Sequence, residues 1–92
     1  MTAERLREGV AQALREADPL GLVAAGAPPD EYDLEVGAIA PRLCDATSAA
    51  DVRSIIHAEF VRSFDARIAG APETYDDAAV RIWTLLQRER AL

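Results

Sequence analysis

The chain has 92 residues, half of them hydrophobic, which is enough for one small domain with its own core. Its formal net charge is −6, and no basic stripe interrupts the acidic background. A protein that reads nucleic-acid phosphates needs such a stripe. We therefore expect a single domain over residues 1–92 that does not bind nucleic acid.

The start of the chain, MTAERLREGV, is charged and lacks the apolar centre of a signal peptide. No run of 18 apolar residues follows, so no membrane-spanning segment is expected. The single cysteine, Cys44, cannot form an internal disulfide, which suits a reducing compartment. Together these features predict a cytoplasmic protein with no membrane partner.

The first predicted helix covers residues 3–17. Its apolar residues recur at intervals of three and four, as on one helical face: Ala3, Leu6, Val10, Ala13, Leu14 and Ala17. Pro19 and Gly21 should stop it. The connection over residues 20–27 is apolar for a loop, and we expect Leu20, Leu22 and Val23 to fold back over the core.

The second helix should begin near Pro28 or Pro29, because proline suits a first helical turn. Pro41 removes a backbone hydrogen bond, so a kink or an early end is expected near Ala40. The apolar stripe of this helix is Tyr32, Val36, Ile39, Ala40 and Leu43.

Thr47 or Ser48 should cap the third helix, since Ser48 and Asp51 have the spacing of a capping box. Its stripe is Val52, Ile55, Ile56, Phe60, Phe64 and Ile68, and Gly70 and Pro72 should end it. The fourth helix should start around Thr74, with a core face formed by Ala79, Ile82, Trp83 and Leu86.

No stretch alternates apolar and polar residues as a half-buried strand would. The sequence therefore predicts an all-α fold, a compact bundle of four helices without a sheet. A core this small leaves a thin margin of stability, so a homodimer that buries further surface is an open alternative.

The whole net charge lies in residues 18–51, which hold seven acids and one base. We select five of those acids as candidate partner-binding residues: Asp18, Asp30, Glu31, Asp33 and Glu35. Glu31 and Glu35 are expected to lie off the apolar stripe of the second helix and therefore to face solvent. Two other interpretations remain for the five acids. Acids in a first helical turn also favour the positive end of the helix dipole. A metal site or acid–base chemistry is the third, although the spacing does not fit a calcium-binding loop.

Asp18 can also be a purely structural residue. Because it precedes a proline, it is expected to be extended, with its carboxylate accepting from the N–H groups of Leu20 and Gly21 in an Asx turn.

Cys44 and His57 are the only residues of their types and could form a thiolate–imidazole pair. No third orienting residue is indicated, and one Cys with one His leaves two zinc ligands to be found elsewhere. We therefore predict no catalytic residues, no metal and no cofactor.

The residues Asp18-Pro19-Leu20-Gly21, followed by Asp30-Glu31-Tyr32-Asp33 and Glu35, resemble the YugE-like group of small helical bacterial proteins. The resemblance covers roughly residues 17–45, with Ala17 standing where the group has an aromatic residue. It implies an all-α fold, supplies no catalytic residues, and connects the chain with candidate immunity proteins of bacterial toxin systems.

These observations favour a small acidic protein-interaction module, without enzymatic activity, whose acidic end binds a basic protein partner. An immunity or antitoxin-like protein would fit this description. The alternatives are a carboxylate-based metal protein or enzyme, and a homo-oligomer that associates through the apolar loop over residues 20–27.

Overall fold

The computed structural model describes residues 2–28 and 30–91, and 75% of it is helical, with no strand in those ranges. The α-helices are α1 (Ala3–Ala17), α2 (Asp33–Ile39), α3 (Ala49–Phe64), α4 (Ala66–Ala69) and α5 (Asp76–Arg90). Short 3₁₀ helices, Ala40–Asp45 and Pro72–Tyr75, follow α2 and precede α5. The all-α prediction is confirmed; four of the described helices have seven residues or more, and α4 is a single turn.

Helix α1 has the predicted bounds because both of its ends are capped. The Thr2 hydroxyl accepts from the backbone N–H of Arg5 at 3.1 Å. At the other end Asp18 adopts a left-handed conformation, with φ of 45°, and its N–H donates to the carbonyl of Leu14. The prediction of an extended Asp18 was therefore wrong: closing the helix takes priority over the preference of a residue before proline.

Helix α2 begins at Asp33, later than the proline pair predicted. The N–H groups of Glu31 and Asp33 donate three residues back, to the carbonyls of Pro28 and Asp30, so this stretch forms tight turns instead of an α-helix. Pro29 lies outside the described residues. The early end near Ala40 is confirmed, since Pro41 lies in the first turn of a 3₁₀ helix.

Ser48 caps α3, and its hydroxyl accepts from the Asp51 N–H at 3.0 Å. The Asp51 carboxylate reaches back to the N–H and hydroxyl of Thr47, at 2.9 and 2.7 Å, so the predicted capping box is closed one residue earlier than usual.

The third helix does not continue to Gly70 as predicted. It ends at Phe64, and Asp65 follows with a φ of 78° and caps α4 through a hydrogen bond from the Ile68 N–H. Ile68 is 56% exposed instead of packed in the core. Asp65 caps the next helical turn and so ends α3 before the predicted stop at Gly70 and Pro72.

Helix α5 starts at Asp76, after the 3₁₀ turn that contains Thr74, so Thr74 is not its cap. Its core face is largely as predicted. Ala79, Ile82 and Leu86 are buried, and Trp83 is half-buried against the core.

The core forms where α3 lies between α5 and α2, with α1 packed on α5. Its centre is aromatic: the ring of Phe60 lies 4.9 Å from that of Tyr75 and 5.8 Å from that of Tyr32, centroid to centroid. The loop residues Leu20, Leu22 and Val23 cover this core, as predicted.

Hydrogen bonds and ion pairs of arginine side chains connect both ends of the described chain to the rest of the molecule. Arg90 donates to the carbonyls of Ala46, Leu43 and Cys44 at 2.8, 3.2 and 3.4 Å, and its guanidinium lies 5.6 Å from the centre of the Trp83 ring. Between α1 and α5, Arg81 pairs with Glu16 and Arg5 pairs with Glu89.

Within the described ranges, each helix is too short or too polar to cross a lipid bilayer.

Candidate functional site

The Asp18 carboxylate organises the loop that links α1 to α2. It accepts from the N–H groups of Val23 and Ala24 at 3.0 and 2.9 Å, and from the Tyr32 hydroxyl at 2.7 Å. The N–H of Leu20 donates to that same hydroxyl at 3.3 Å. The loop therefore wraps around one carboxylate and one phenol.

The predicted Asx turn was wrong in its partners, although the structural role of Asp18 stands. The Gly21 N–H donates to the backbone carbonyl of Asp18 at 2.9 Å and not to its side chain. In the left-handed conformation of Asp18 the carboxylate bonds further along the loop, to the N–H groups of Val23 and Ala24.

The hydrogen bonds in this loop change the titration of both side chains. Partial burial alone would raise the pKa of Asp18, but the donors of Ala24, Tyr32 and Val23 outweigh it and hold the pKa below its ordinary value. Burial, together with the bond to the Asp18 carboxylate, raises the pKa of Tyr32 to about 12. Asp18 is thus a charged acceptor that is already used within the molecule.

Three of the five candidate residues form an exposed surface before and at the start of α2. Asp30, Glu31 and Asp33 are all exposed, and next to them Leu34 is 80% exposed. We call these four residues the acidic edge. Sequence reasoning did not single out Leu34, although it lies off the stripe of α2, which is the available signal for an apolar residue facing solvent.

Glu35 is the fifth candidate, and the prediction that it faces solvent was wrong: it is only 3% exposed. It lies three residues after Tyr32 and four before Ile39, which are the intervals of one helical face. Glu59 of α3, 4% exposed, likewise follows Ile56 by three. This spacing is the signal that could have placed both acids inside.

The two buried carboxyl groups have unequal surroundings. Glu59 accepts from the guanidinium of Arg62, with a Nε–Oε2 distance of 3.1 Å and a short second contact, and from the Ser63 hydroxyl at 3.3 Å. Glu35 Oε2 is buried and has no hydrogen-bond partner among the described residues. Burial, and then the negative charges of Glu59 and Glu31, raise the pKa of Glu35 despite the nearby hydroxyl of Ser63.

Cys44 and His57 make separate contacts. The Cys44 thiol is exposed and donates to the Pro41 carbonyl at 3.4 Å. His57 Nε2 lies 2.9 Å from the Gly70 carbonyl oxygen, and its ring lies against Tyr75. The described residues contain no group of three or more side chains placed to hold a metal.

A shallow groove of about 830 Å³ runs between α1 and α2. Its charged lining residues carry both signs: Arg7 and Arg15 lie among Glu4, Glu8 and Asp33. Such a mixed surface gives no concentrated field for a charged ligand, in contrast to the acidic edge.

No family model, curated protein or solved structure matches this chain, so its family is not shown by comparison with known proteins.

Proposed function

We propose that this protein is a small acidic interaction module without catalytic activity, and that its acidic edge binds the basic surface of a protein partner. The exposure of Asp30, Glu31 and Asp33 around Leu34 is the observation that supports this function best. Opposite charge accelerates the encounter and selects the partner. The YugE-like resemblance and an immunity or antitoxin-like role in the cytoplasm belong to the same proposal.

Leu34 gives the acidic edge an apolar centre. A leucine that is 80% exposed on a helix, with exposed acids just before it, can enter an apolar pocket while those acids meet basic residues at its rim. The partner we propose therefore carries a shallow apolar pocket with Arg or Lys at its rim. Contacts that exclude water around a buried anchor are typical of tight interfaces.

The other two candidate residues, Asp18 and Glu35, do not belong to this exposed surface. Asp18 is committed to the loop, and Glu35 is buried beneath the acidic edge, so neither is available for direct contact without rearrangement. Asp18 accepts from Tyr32, the residue before α2, and so helps to position the helix that presents Asp33 and Leu34.

Identifying the partner is the first step of the test. The tagged protein is incubated with lysate of the source organism, and bound proteins are identified by mass spectrometry. Association and dissociation rates are then measured with the purified partner for the wild type and for Glu31→Arg, Asp33→Arg and Leu34→Ala. Glu73→Arg is the matched control, because Glu73 is equally exposed but precedes α5.

We expect the two charge reversals to lower the association rate and Leu34→Ala to raise the dissociation rate, with Glu73→Arg close to the wild type. Binding of the wild type should weaken as salt rises, since exposed charges are screened over about 8 Å at physiological ionic strength. Rates that are equal for all four variants at every salt concentration would show that the acidic edge is only a solvated helix start.

A further inference from the structure

Glu35 is the least satisfied polar group in the described core. It is 3% exposed, and its Oε2 atom accepts no hydrogen bond from the described residues. An ionised carboxylate in such a place loses its hydration without replacement. The neutral acid loses far less, and its hydroxyl can donate.

The charged groups around Glu35 do not compensate for a second negative charge. From α3 it faces Glu59 and Ser63, and Arg62 is already bonded to both oxygens of Glu59. From its own side Glu31, one helical turn earlier, adds a further negative charge.

The other neighbours of α2 offer no better partner. From α1, Arg7 lies by Gly37, and residues two apart on a helix point in different directions. The 3₁₀ helix after α2 carries Arg42 and Asp45, both of them exposed. No described cation therefore lies against the unpartnered oxygen of Glu35.

We propose that the folded protein holds a proton on the buried Glu35 carboxyl, and that losing this proton as the pH rises loosens the contact between α2 and α3. Two carboxyl groups that share a buried site cannot both ionise at low cost. The donors of Arg62 and Ser63 bond to Glu59, whereas Oε2 of Glu35 has no such partner among the described residues, so we place the proton on Glu35. Protonation of Glu35 thus stabilises the contact between α2 and α3.

The direction of the pH effect follows from the raised pKa of Glu35. The folded state binds the proton more tightly than the unfolded chain, where glutamate has a pKa near 4.5. The stabilisation is complete below that value and is lost as the pH rises through the folded pKa. Within this window the folding equilibrium constant should fall up to about tenfold per pH unit.

The test measures the Glu35 carboxyl directly and then its effect on folding. The ¹³C chemical shift of the Glu35 side-chain carboxyl is followed by NMR through a pH titration of the wild-type protein. Urea unfolding is measured over the same pH range for the wild type and for Glu35→Gln, a neutral side chain of nearly the same shape. Glu73→Gln is the control, since Glu73 is exposed and lies before α5, away from α2.

We expect Glu35 to titrate above ordinary glutamates, and Glu35→Gln to gain stability relative to the wild type as the pH rises, while Glu73→Gln stays parallel to the wild type. Amide exchange in α2 should accelerate with pH more than exchange in α5. A Glu35 carboxyl that titrates at or below the ordinary value would overturn the proposal, and this measurement does not require any variant to fold.

Discussion

At the scale of single residues, hydrogen-bond donors outweigh burial at Asp18, whereas burial outweighs the nearby donors at Glu35. Asp18 accepts from two N–H groups and a phenol, and its pKa is lowered although it is partly buried. Glu35 is buried with an unpartnered oxygen, and its pKa is raised. One acid thus orders a loop as an anion, while the other serves the core best as a neutral group.

Tyr32→Phe tests how much the phenol contributes to this loop. The change removes the donor to Asp18 and the acceptor for the Leu20 N–H but leaves the ring in the core. We expect a loss of ~1–3 kcal/mol in unfolding free energy, since a buried N–H and a carboxylate each lose a partner. Urea unfolding measures it, and faster proteolysis near Gly26 would locate the effect.

Tyr75→Phe is the comparison, because the Tyr75 hydroxyl makes a single bond, to the Ala69 carbonyl at 2.7 Å. It should cost less than Tyr32→Phe and leave the loop resistant to protease. An equal cost at both positions, with the loop unaffected, would mean that the phenol does not hold the loop.

The sequence predicted the loop's location over the core and the structural role of Asp18, but not its partners. Those partners depend on the backbone angles of Asp18, and the left-handed conformation there arises from helix termination, which the local Asp-Pro preference opposes. Glu35 was misplaced for another reason. The prediction takes Glu35 to lie off the apolar stripe of α2, but its spacing from Tyr32 and Ile39 puts it on the buried face.

At the scale of elements, helix ends marked by a cap or a proline were predictable, and ends set by competing turns were not. Ala3–Ala17, the Ser48 cap and the break at Pro41 all follow from local side-chain chemistry. The start of α2 depends on backbone hydrogen bonds to residues three positions back. The break at Asp65 depends on the cap that this residue provides for α4. Neither leaves a distinct mark in hydrophobic periodicity.

Three alanine substitutions along the apolar stripe predicted for the third helix test whether this helix ends at Phe64. Phe60 is fully buried, so Phe60→Ala should cost ~3–5 kcal/mol in unfolding free energy. Phe64 is half-buried, and Phe64→Ala should cost ~1–2 kcal/mol, less than a core position would. Ile68→Ala should change stability by no more than ~0.5 kcal/mol, because the side chain is exposed.

Urea denaturation with a common slope gives these three values. A large cost for Ile68→Ala, similar to that of Phe60→Ala, would indicate a helix that continues through Asp65 in solution.

At the scale of the whole molecule, the fold is closed by contacts between residues far apart in sequence. Arg90 spans from the last turn of α5 to three carbonyls at the end of the 3₁₀ helix after α2. Three donors on one rigid guanidinium fit three convergent carbonyls in a way that a lysine cannot. The acidic edge includes the start of α2, and the Arg90 hydrogen bonds reach the end of the 3₁₀ helix that follows α2.

Arg90→Ala should therefore lower the unfolding free energy by ~1–2 kcal/mol, a value reduced by the exposure of the side chain. Arg90→Lys should recover only part of this loss. Arg88→Ala is the matched control, since Arg88 is an exposed arginine on the same last turn and should have little effect. If Arg88→Ala and Arg90→Ala are equivalent in thermal and urea unfolding, the closure contributes nothing to stability.

The same closure brings together the chain's only tryptophan and its only cysteine. Trp83 lies beneath the Arg90 guanidinium, and that guanidinium bonds the carbonyl of the exposed Cys44. A dye attached to Cys44 would be unique in the molecule and close enough to Trp83 to quench or accept its fluorescence. The fluorescence of Trp83 in the labelled protein therefore reports the distance between α5 and the 3₁₀ helix after α2. Rapid-mixing refolding experiments can use this signal to follow the docking of α5, without any engineered site.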